Sequence, residues 1–264
     1  MIRSDFHMHT YYCDGKDSPE EMVKSAIEKG FTTIGFSGHS YAPYDMDCCM
    51  DLKQTAEYRR KINALKDKYS GKIKIYCGVE QDIFAPLPVK PFDYSIGSVH
   101  YLKTGCGYTS VDYTPQVLAN MRDQYFGGDI YALAEEYFKL VSDVAEKTGC
   151  DIIGHFDLVS KFNENEEFFD PKDPRYIKAY QSAADRLLTY GIPFEINTGA
   201  ISRGWRSGPY PSMDIIKYIA SKGGRFVLSS DAHSKENIGY IFRETEELLA
   251  KEGVEVEIFV PGCK

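Results

Sequence analysis

A chain of 264 residues with a steady supply of Val, Ile, Leu and aromatic side chains can bury a sizeable core, and residues 1–264 are read as a single domain. The formal charge of −8, with acidic residues spread rather than blocked, argues against nucleic acid as a partner. No apolar run is long enough to span a bilayer, and the start lacks the basic-then-apolar pattern of a signal peptide, so no membrane partner is expected. Seven scattered cysteines without a C-x-x-C read as free thiols in a reducing compartment, the cytoplasm.

In chain order, strand and helix signals alternate. Ile2 to Phe6 runs as a strand into His7 and His9, which share a face because strand side chains alternate. Ser18-Pro19-Glu20-Glu21 is a helix start with a capping box, and that helix stops at Gly30. Thr32 to Ser37 is a buried strand, just before His39. An amphipathic helix covers Leu52 to Tyr69, and the strand from Lys72 to Val79 delivers Glu80. Phe92 to Val99 is a strand that delivers His100. Tyr101 to Gly128 is read as a loop with a short helix. A helix over Asp129 to Lys147 leads to the short strand Asp151 to Gly154 and then His155. After an acidic, aromatic loop, Asn163 to Pro174, come a helix to Tyr190 and the strand Pro193 to Ile196 ending at Asn197. A helix over Ser212 to Lys222, a strand over Arg225 to Leu228 delivering Asp231 and His233, a last helix over Lys235 to Lys251 and an extended tail complete the chain.

Such alternation implies an α/β fold with a parallel sheet, and this number of units closes naturally into a barrel. An open doubly wound sheet is the alternative, but the glycine-rich dinucleotide fingerprint is missing after the first strand. All six histidines, His7, His9, His39, His100, His155 and His233, fall at or just beyond the C-terminal end of a predicted strand. In a barrel those ends form the face where active sites are built. With Glu80 and Asp231 they make a cluster of imidazoles and carboxylates suited to zinc, iron or manganese, and larger than a single ion requires. Two or three divalent transition metals are therefore expected.

The motifs D-F-H-M-H-T at the start, C-D-G at 13–15, S-G-H-S at 37–40, G-V-E at 78–80, S-V-H at 98–100, G-H-F-D at 154–157, I-N-T-G at 196–199 and S-D-A-H at 230–233 span nearly the whole chain. In this order they resemble the PHP (polymerase and histidinol phosphatase) superfamily, within it the histidinol-phosphate phosphatases. The resemblance implies a distorted (β/α)7 barrel with a trinuclear metal site at the C-terminal ends of the strands. It implies a first metal held by His7, His9, Glu80 and Asp231, and a second held by Glu80, His100 and His155, with Glu80 bridging. A third would be held by Asp14, His39 and His233, with Asp14 where many relatives place a histidine. Glu80, Asp231 and His233 are the residues expected at the chemistry.

Such a centre holds a bridging hydroxide for in-line attack on phosphorus and neutralises the phosphoryl oxygens. The implied activity is hydrolysis of a small-molecule phosphate, L-histidinol phosphate, to L-histidinol and phosphate. The alternatives are another small phosphomonoester or a PHP-type exonuclease. Cationic side chains should complete the phosphate cradle. Arg203 is the first choice and Lys161 the second, with Arg206 in reserve. Asn197 either orients substrate or caps the strand end. Glu164, Glu166, Glu167 and Asp170, interleaved with Phe162, Phe168 and Phe169, suggest an acidic lid that meets a cationic amine. Trp205 and Tyr210 read as packing.

Overall fold

A computed structural model describes residues 2–88, 91–105 and 107–262. Its elements in chain order are β1 (Ser4–Asp5), α1 (Pro19–Glu28), β2 (Thr33–Phe36), α2 (Leu52–Tyr69), β3 (Lys74–Cys77), β4 (Val79–Asp82) and β5 (Ser95–Ser98). There follow β6 (Tyr101–Thr104), β7 (Gly107–Ser110), α3 (Pro115–Tyr125), α4 (Ile130–Thr148) and β8 (Ile152–Ile153). The chain ends with α5 (Pro174–Leu188), β9 (Phe194–Asn197), α6 (Gly199–Ser202), α7 (Met213–Ser221), β10 (Phe226–Ser229) and α8 (Phe242–Lys251).

The strand order is β1-β2-β3 in one parallel sheet and β4-β5-β8-β9-β10 in another. The two sheets are one ring. β3 and β4 are halves of a single strand broken at Gly78, whose N–H still reaches Phe36 O at 2.7 Å. Beyond β2, His39 bridges in parallel to Glu80, and beyond β1, Met8 bridges to Ala232. There His9 N donates to Ala232 O at 2.9 Å and Ala232 N to His7 O at 3.1 Å. The expected α/β barrel is what the sequence builds, its last contacts made by the segments that carry the histidines.

The helices pack outside the ring. Met22, Val23 and Ala26 of α1, with Tyr58, Ile62 and Leu65 of α2, are buried with Ile34 and Ile75 of β2 and β3. The larger layer buries α4, α5 and α7 with Ile153, Phe194, Ile196, Phe226 and Leu228. The capping box expected at Ser18 is present, with Glu21 donating from its backbone to Ser18 Oγ at 3.3 Å and accepting from Ser18 N at 3.0 Å. Inside the ring, at the N-terminal ends of the strands, Phe6, Tyr94, Ile96, Ile152 and Val227 pack together. Phe259 of the tail meets Phe6 edge-on, with ring centroids 5.0 Å apart.

Three segments differ from the sequence expectation. Tyr101–Thr104 and Gly107–Ser110 pair as antiparallel strands, β6 with β7, where a loop was expected. The glycines there read as loop signals, whereas Leu102 is fully buried and the partner strand is polar. Cys106 lies outside the described residues. The last helix is broken: a 3-10 turn at Lys235–Asn237 is separated from α8 by Gly239 (φ 65) and Ile241 (φ 48). There Gly239 N donates to the buried Asp5 carboxylate at 3.2 Å, a long-range bond that interrupts the local helical pattern. The third strand does not run unbroken to Val79, because the chain bends at Gly78 to change neighbours.

Tyr94 explains that bend. Its buried hydroxyl donates to Phe6 O at 2.5 Å and Phe36 O at 3.1 Å, joining the first two strands across the ring. A Cβ at residue 78 would fall 2.3 Å from Tyr94 ring atoms. Gly78→Ala is therefore expected to overpack the interior and cost about 1–3 kcal/mol. The check is a urea unfolding midpoint compared with wild type; an unchanged midpoint would contradict the tight fit of Tyr94.

Candidate metal centre and phosphate cavity

The strand ends bring the histidines to one place. Glu80 enters from β4, after the Gly78 bend, and is buried at 1% exposure. His7 Nε2 and His9 Nε2 lie 3.3 and 3.5 Å from Glu80 Oε2, and 3.6 and 3.3 Å from Asp231 Oδ1. On the other side His155 Nε2 and His100 Nε2 lie 2.8 and 3.1 Å from Glu80 Oε1. His39 Nδ1 is 3.0 Å from Glu80 Oε2, while its Nε2 lies 3.6 Å from Asp14. His233 Nε2 is 3.0 Å from Asp14 Oδ2.

Three of these atoms, His7 Nε2, His9 Nε2 and Glu80 Oε2, are buried without a hydrogen-bond partner. Buried polar atoms are normally satisfied, so three partnerless acceptors facing one point fit a cation. Groups close enough to share an ion are His7, His9 and Glu80; His39, Glu80 and His100; and His9, Asp14, His39 and His233. All nine expected ligand residues thus converge. His9 is drawn towards two of the groups, since its Nδ1 lies 3.4 Å from Asp14 Oδ1. His155 approaches the second group through Glu80.

The electrostatics point the same way. Burial opposes charge on His7, but Glu195, Asp231 and Glu80 outweigh it and hold the imidazole up to about 10. Burial likewise opposes charge on His100, yet Glu80 and Asp82 bring it to about 10. Burial would raise Glu80, and His100, His7 and His39 hold it well below the usual range. A field that stabilises protons on imidazoles stabilises a metal cation in their place.

Asp231 holds its position through an unusual backbone, with φ 47 in the left-handed region that Asp tolerates better than most residues. The start of α6 passes so close that a Cβ on Gly199 would lie 2.8 Å from Asp231 Cβ. From α6, Arg203 reaches back: Nη2 lies 3.1 Å from Asp231 Oδ2, and Nη1 lies 3.0 Å from both Asp231 O and His233 Nδ1. A cavity of about 260 Å³ opens above, and Arg203, Lys161, Glu80, Asp231 and His233 line it. Lys161 Nζ donates to Asp112 O at 2.7 Å and Oδ2 at 3.1 Å, so its ammonium is held at the rim.

Comparison with known proteins agrees with this geometry. The PHP domain family matches residues 5–199. The chain belongs to the PHP family. Its relatives include the Deinococcus radiodurans protein named "Probable histidinol-phosphatase", 32% identical over 91% of this chain and 90% of that one. The Bacillus subtilis protein named "Histidinol-phosphatase" is 26% identical over 92% of this chain and 97% of that one. Among solved structures, histidinol phosphate phosphatase from Lactococcus lactis, complexed with zinc, L-histidinol and phosphate, superposes with a TM-score of 0.70 at 23% identity. It covers 96% of this chain and 95% of that chain, and shows that the two share a fold.

Other expectations change. Asn197, expected to orient substrate or cap the strand, is fully buried and absent from the cavity wall. Its Oδ1 accepts from Gly199 N at 2.8 Å and its Nδ2 donates to Glu195 at 3.1 Å, so it caps the strand end, the second of the two expected roles. Arg206, the reserve cation, is half-buried beside Asp157 at 3.7 Å and donates to Ser160 Oγ. The acidic lid is absent from the cavity too: Glu164 accepts from Ser207 N, and Phe162 and Phe169 are core residues. Five described cysteines, Cys13, Cys48, Cys49, Cys77 and Cys150, are free, as expected; Cys106 and Cys263 lie outside the described residues. No helix among the described residues is long and apolar enough to cross a membrane.

Sequence reasoning missed the carboxylates behind the PHP histidines. Glu195, fully buried on β9, accepts from His7 Nδ1 at 2.5 Å, from Ser229 Oγ, from His155 N at 2.8 Å and from Asn197. Asp82 stands 3.3 Å from His100 Nδ1. Asp5 accepts from His7 N at 3.3 Å and Ser230 N at 3.2 Å, tying the first motif to the last. The available signal was a charged residue between Phe194 and Ile196 in a strand buried on both faces. Because such partners fix the tautomer and orientation of a ligating imidazole, Glu195→Gln is expected to weaken zinc affinity about 10–100-fold. Competition with a chromogenic chelator measures it, and wild-type affinity in the variant would remove Glu195 from that role.

Proposed function

We propose that this protein is a metal-dependent phosphomonoesterase that hydrolyses L-histidinol phosphate to L-histidinol and phosphate. The observation that carries the reading is the set of partnerless buried atoms, His7 Nε2, His9 Nε2 and Glu80 Oε2, beneath a cavity that also presents Arg203 and Lys161. The names of the Deinococcus and Bacillus relatives, and the zinc, histidinol and phosphate bound in the Lactococcus structure, support the same substrate.

His7, His9, Glu80 and Asp231 would hold one divalent ion, Glu80, His100 and His155 a second, and Asp14, His39 and His233 a third. Zinc, iron and manganese suit this donor set. Bound there, the ions supply an activated water and neutralise the charge developing on the phosphoryl oxygens. Glu195 and Asp82 engage His7 and His100 at Nδ1, so that Nε2 of each ring would be the atom turned to an ion. Arg203 presents its guanidinium beside Asp231 and His233, where it orients phosphoryl oxygens in a bidentate way. Lys161 adds a point charge at the rim. The free thiols suit work in a reducing compartment, the cytoplasm.

A nuclease reading fits less well. It needs a basic track with exposed aromatics, whereas six carboxylates and only two basic side chains besides histidine line this cavity. Another small phosphomonoester would meet the same metal centre and is distinguished by assay.

The test is phosphate release from L-histidinol phosphate beside sugar, nucleotide and aryl phosphates, with metal-reconstituted and chelated protein in parallel. Histidinol phosphate is expected to have the highest kcat/KM, and chelation to abolish turnover. Since loss of an outer partner alone costs 10–100-fold, Asp231→Ala should lower kcat at least about 100-fold and reduce bound metal. Full activity in that variant, or after chelation, would refute the metal-centre reading.

A further inference from the structure

Six carboxylates line the cavity: Asp14, Asp45, Glu80, Asp82, Asp112 and Asp231. Five of them face an imidazole or a cation. Asp14 lies 3.0 Å from His233 Nε2, Glu80 2.8 Å from His155 Nε2 and Asp82 3.3 Å from His100 Nδ1. Asp112 lies 3.1 Å from Lys161 Nζ and Asp231 3.1 Å from Arg203 Nη2. Asp45 is different. Its hydrogen-bond donors are the Tyr101 hydroxyl, on Oδ2, and Cys48 N at 3.3 Å, on Oδ1, and no basic group approaches it among the described residues.

Both donors are uncharged. They fix the direction of the carboxylate without neutralising it. Tyr101 is itself braced, with its ring edge-on to Tyr44 at 5.1 Å, and the Tyr44 hydroxyl donates to Asp82 Oδ1 at 2.7 Å. The result is a half-buried, pre-aimed negative charge on the wall of a substrate cavity, and such a charge is best satisfied by a cation that arrives with the ligand. The metal centre, Arg203 and Lys161 take the phosphate end of a substrate. The other carboxylates are held by their own partners.

Resting on the phosphatase reading above, we infer that Asp45 is a specificity-determining residue that receives the primary ammonium of the substrate. In L-histidinol phosphate that ammonium stands on the carbon next to the phosphorylated one, so a substrate anchored by its phosphate carries its positive charge towards the cavity wall. Asp45 thereby selects amino-alcohol phosphates over neutral phosphomonoesters. Tyr101 is a positioning residue that acts through Asp45.

A cycle that removes each partner in turn isolates the contact. L-Histidinol phosphate and its desamino analogue, 3-(imidazol-4-yl)propyl phosphate, are compared on metal-loaded wild type, Asp45→Asn and Tyr101→Phe. Wild type is expected to favour the amine-bearing substrate by about 10-fold or more in kcat/KM, and Asp45→Asn to shrink that preference below about threefold, chiefly through KM. Tyr101→Phe should remove part of the preference and leave Asp45 charged. Equal loss on both substrates in Asp45→Asn, an undiminished preference, or a wild type indifferent to the amine would overturn the assignment of Asp45 and leave the phosphatase reading standing. Wild type that hydrolyses p-nitrophenyl phosphate but neither imidazole substrate would overturn the substrate reading, and Asp45's role with it.

Discussion

The burial of one carboxylate, Glu80, sets the terms for the rest of the molecule. An ionised carboxylate removed from water is costly unless positive charge and hydrogen bonds compensate. Here His7, His9, His39, His100 and His155 all come within 3.5 Å of it. No single helix or strand could supply five imidazoles at one point. A ring of parallel strands can, because each strand end contributes one or two side chains to the same face. The bend at Gly78 places Glu80 at the centre of that face, and Tyr94 occupies the space the missing side chain leaves. Barrel closure and ligand convergence are thus one event: the bridges from Met8 to Ala232 and from His39 to Glu80 lie within the motifs themselves.

A repeated device lies behind the imidazoles. Glu195 backs His7 and Asp82 backs His100, each carboxylate taking the ring nitrogen that faces away from the cluster. Asp5 works one layer lower, collecting backbone donors from His7, Ser230 and Gly239. Burial pushes Asp5 up to about 6, against the pull of the Ser230 hydrogen bonds and the backbone donors. The acidic balance of the chain is therefore partly invested inside, where it orients donors and attracts cations.

The convergence of the histidines was legible in the sequence because histidine is scarce and all six fall where strands end. The same reading found α2 to the residue and the capping box of α1, since both depend on neighbours along the chain. What escaped it depends on residues far apart. Glu195 meets His7 across 188 positions, so nothing local marks it. The break before α8 is made by Asp5, more than 230 residues away. Asn197 and Arg206 carried the right chemistry for substrate, but neighbours claimed them: Asn197 turns the chain into α6, and Arg206 balances the buried Asp157. The acids between Asn163 and Pro174 looked like a lid because charge and aromatics interleave. Their loop instead folds on itself, with Asn163 Oδ1 accepting from Phe168 N and Phe169 N.

The cavity has a built-in polarity. Without ions, the six carboxylates outnumber Lys161, Arg203 and the imidazoles of His39 and His100, whose charged forms the carboxylates favour, and the balance disfavours a phosphate dianion. Divalent ions held by the imidazoles would reverse that at the floor and would leave the wall around Asp45 and Tyr101 negative. A zwitterionic substrate then has one favourable orientation, phosphate down and ammonium to the side. A neutral-tailed phosphate would gain only the first of these contacts. Metal loading would then couple to substrate orientation as well as to chemistry, since ions that attract the phosphate would also create the charge gradient along which the molecule aligns.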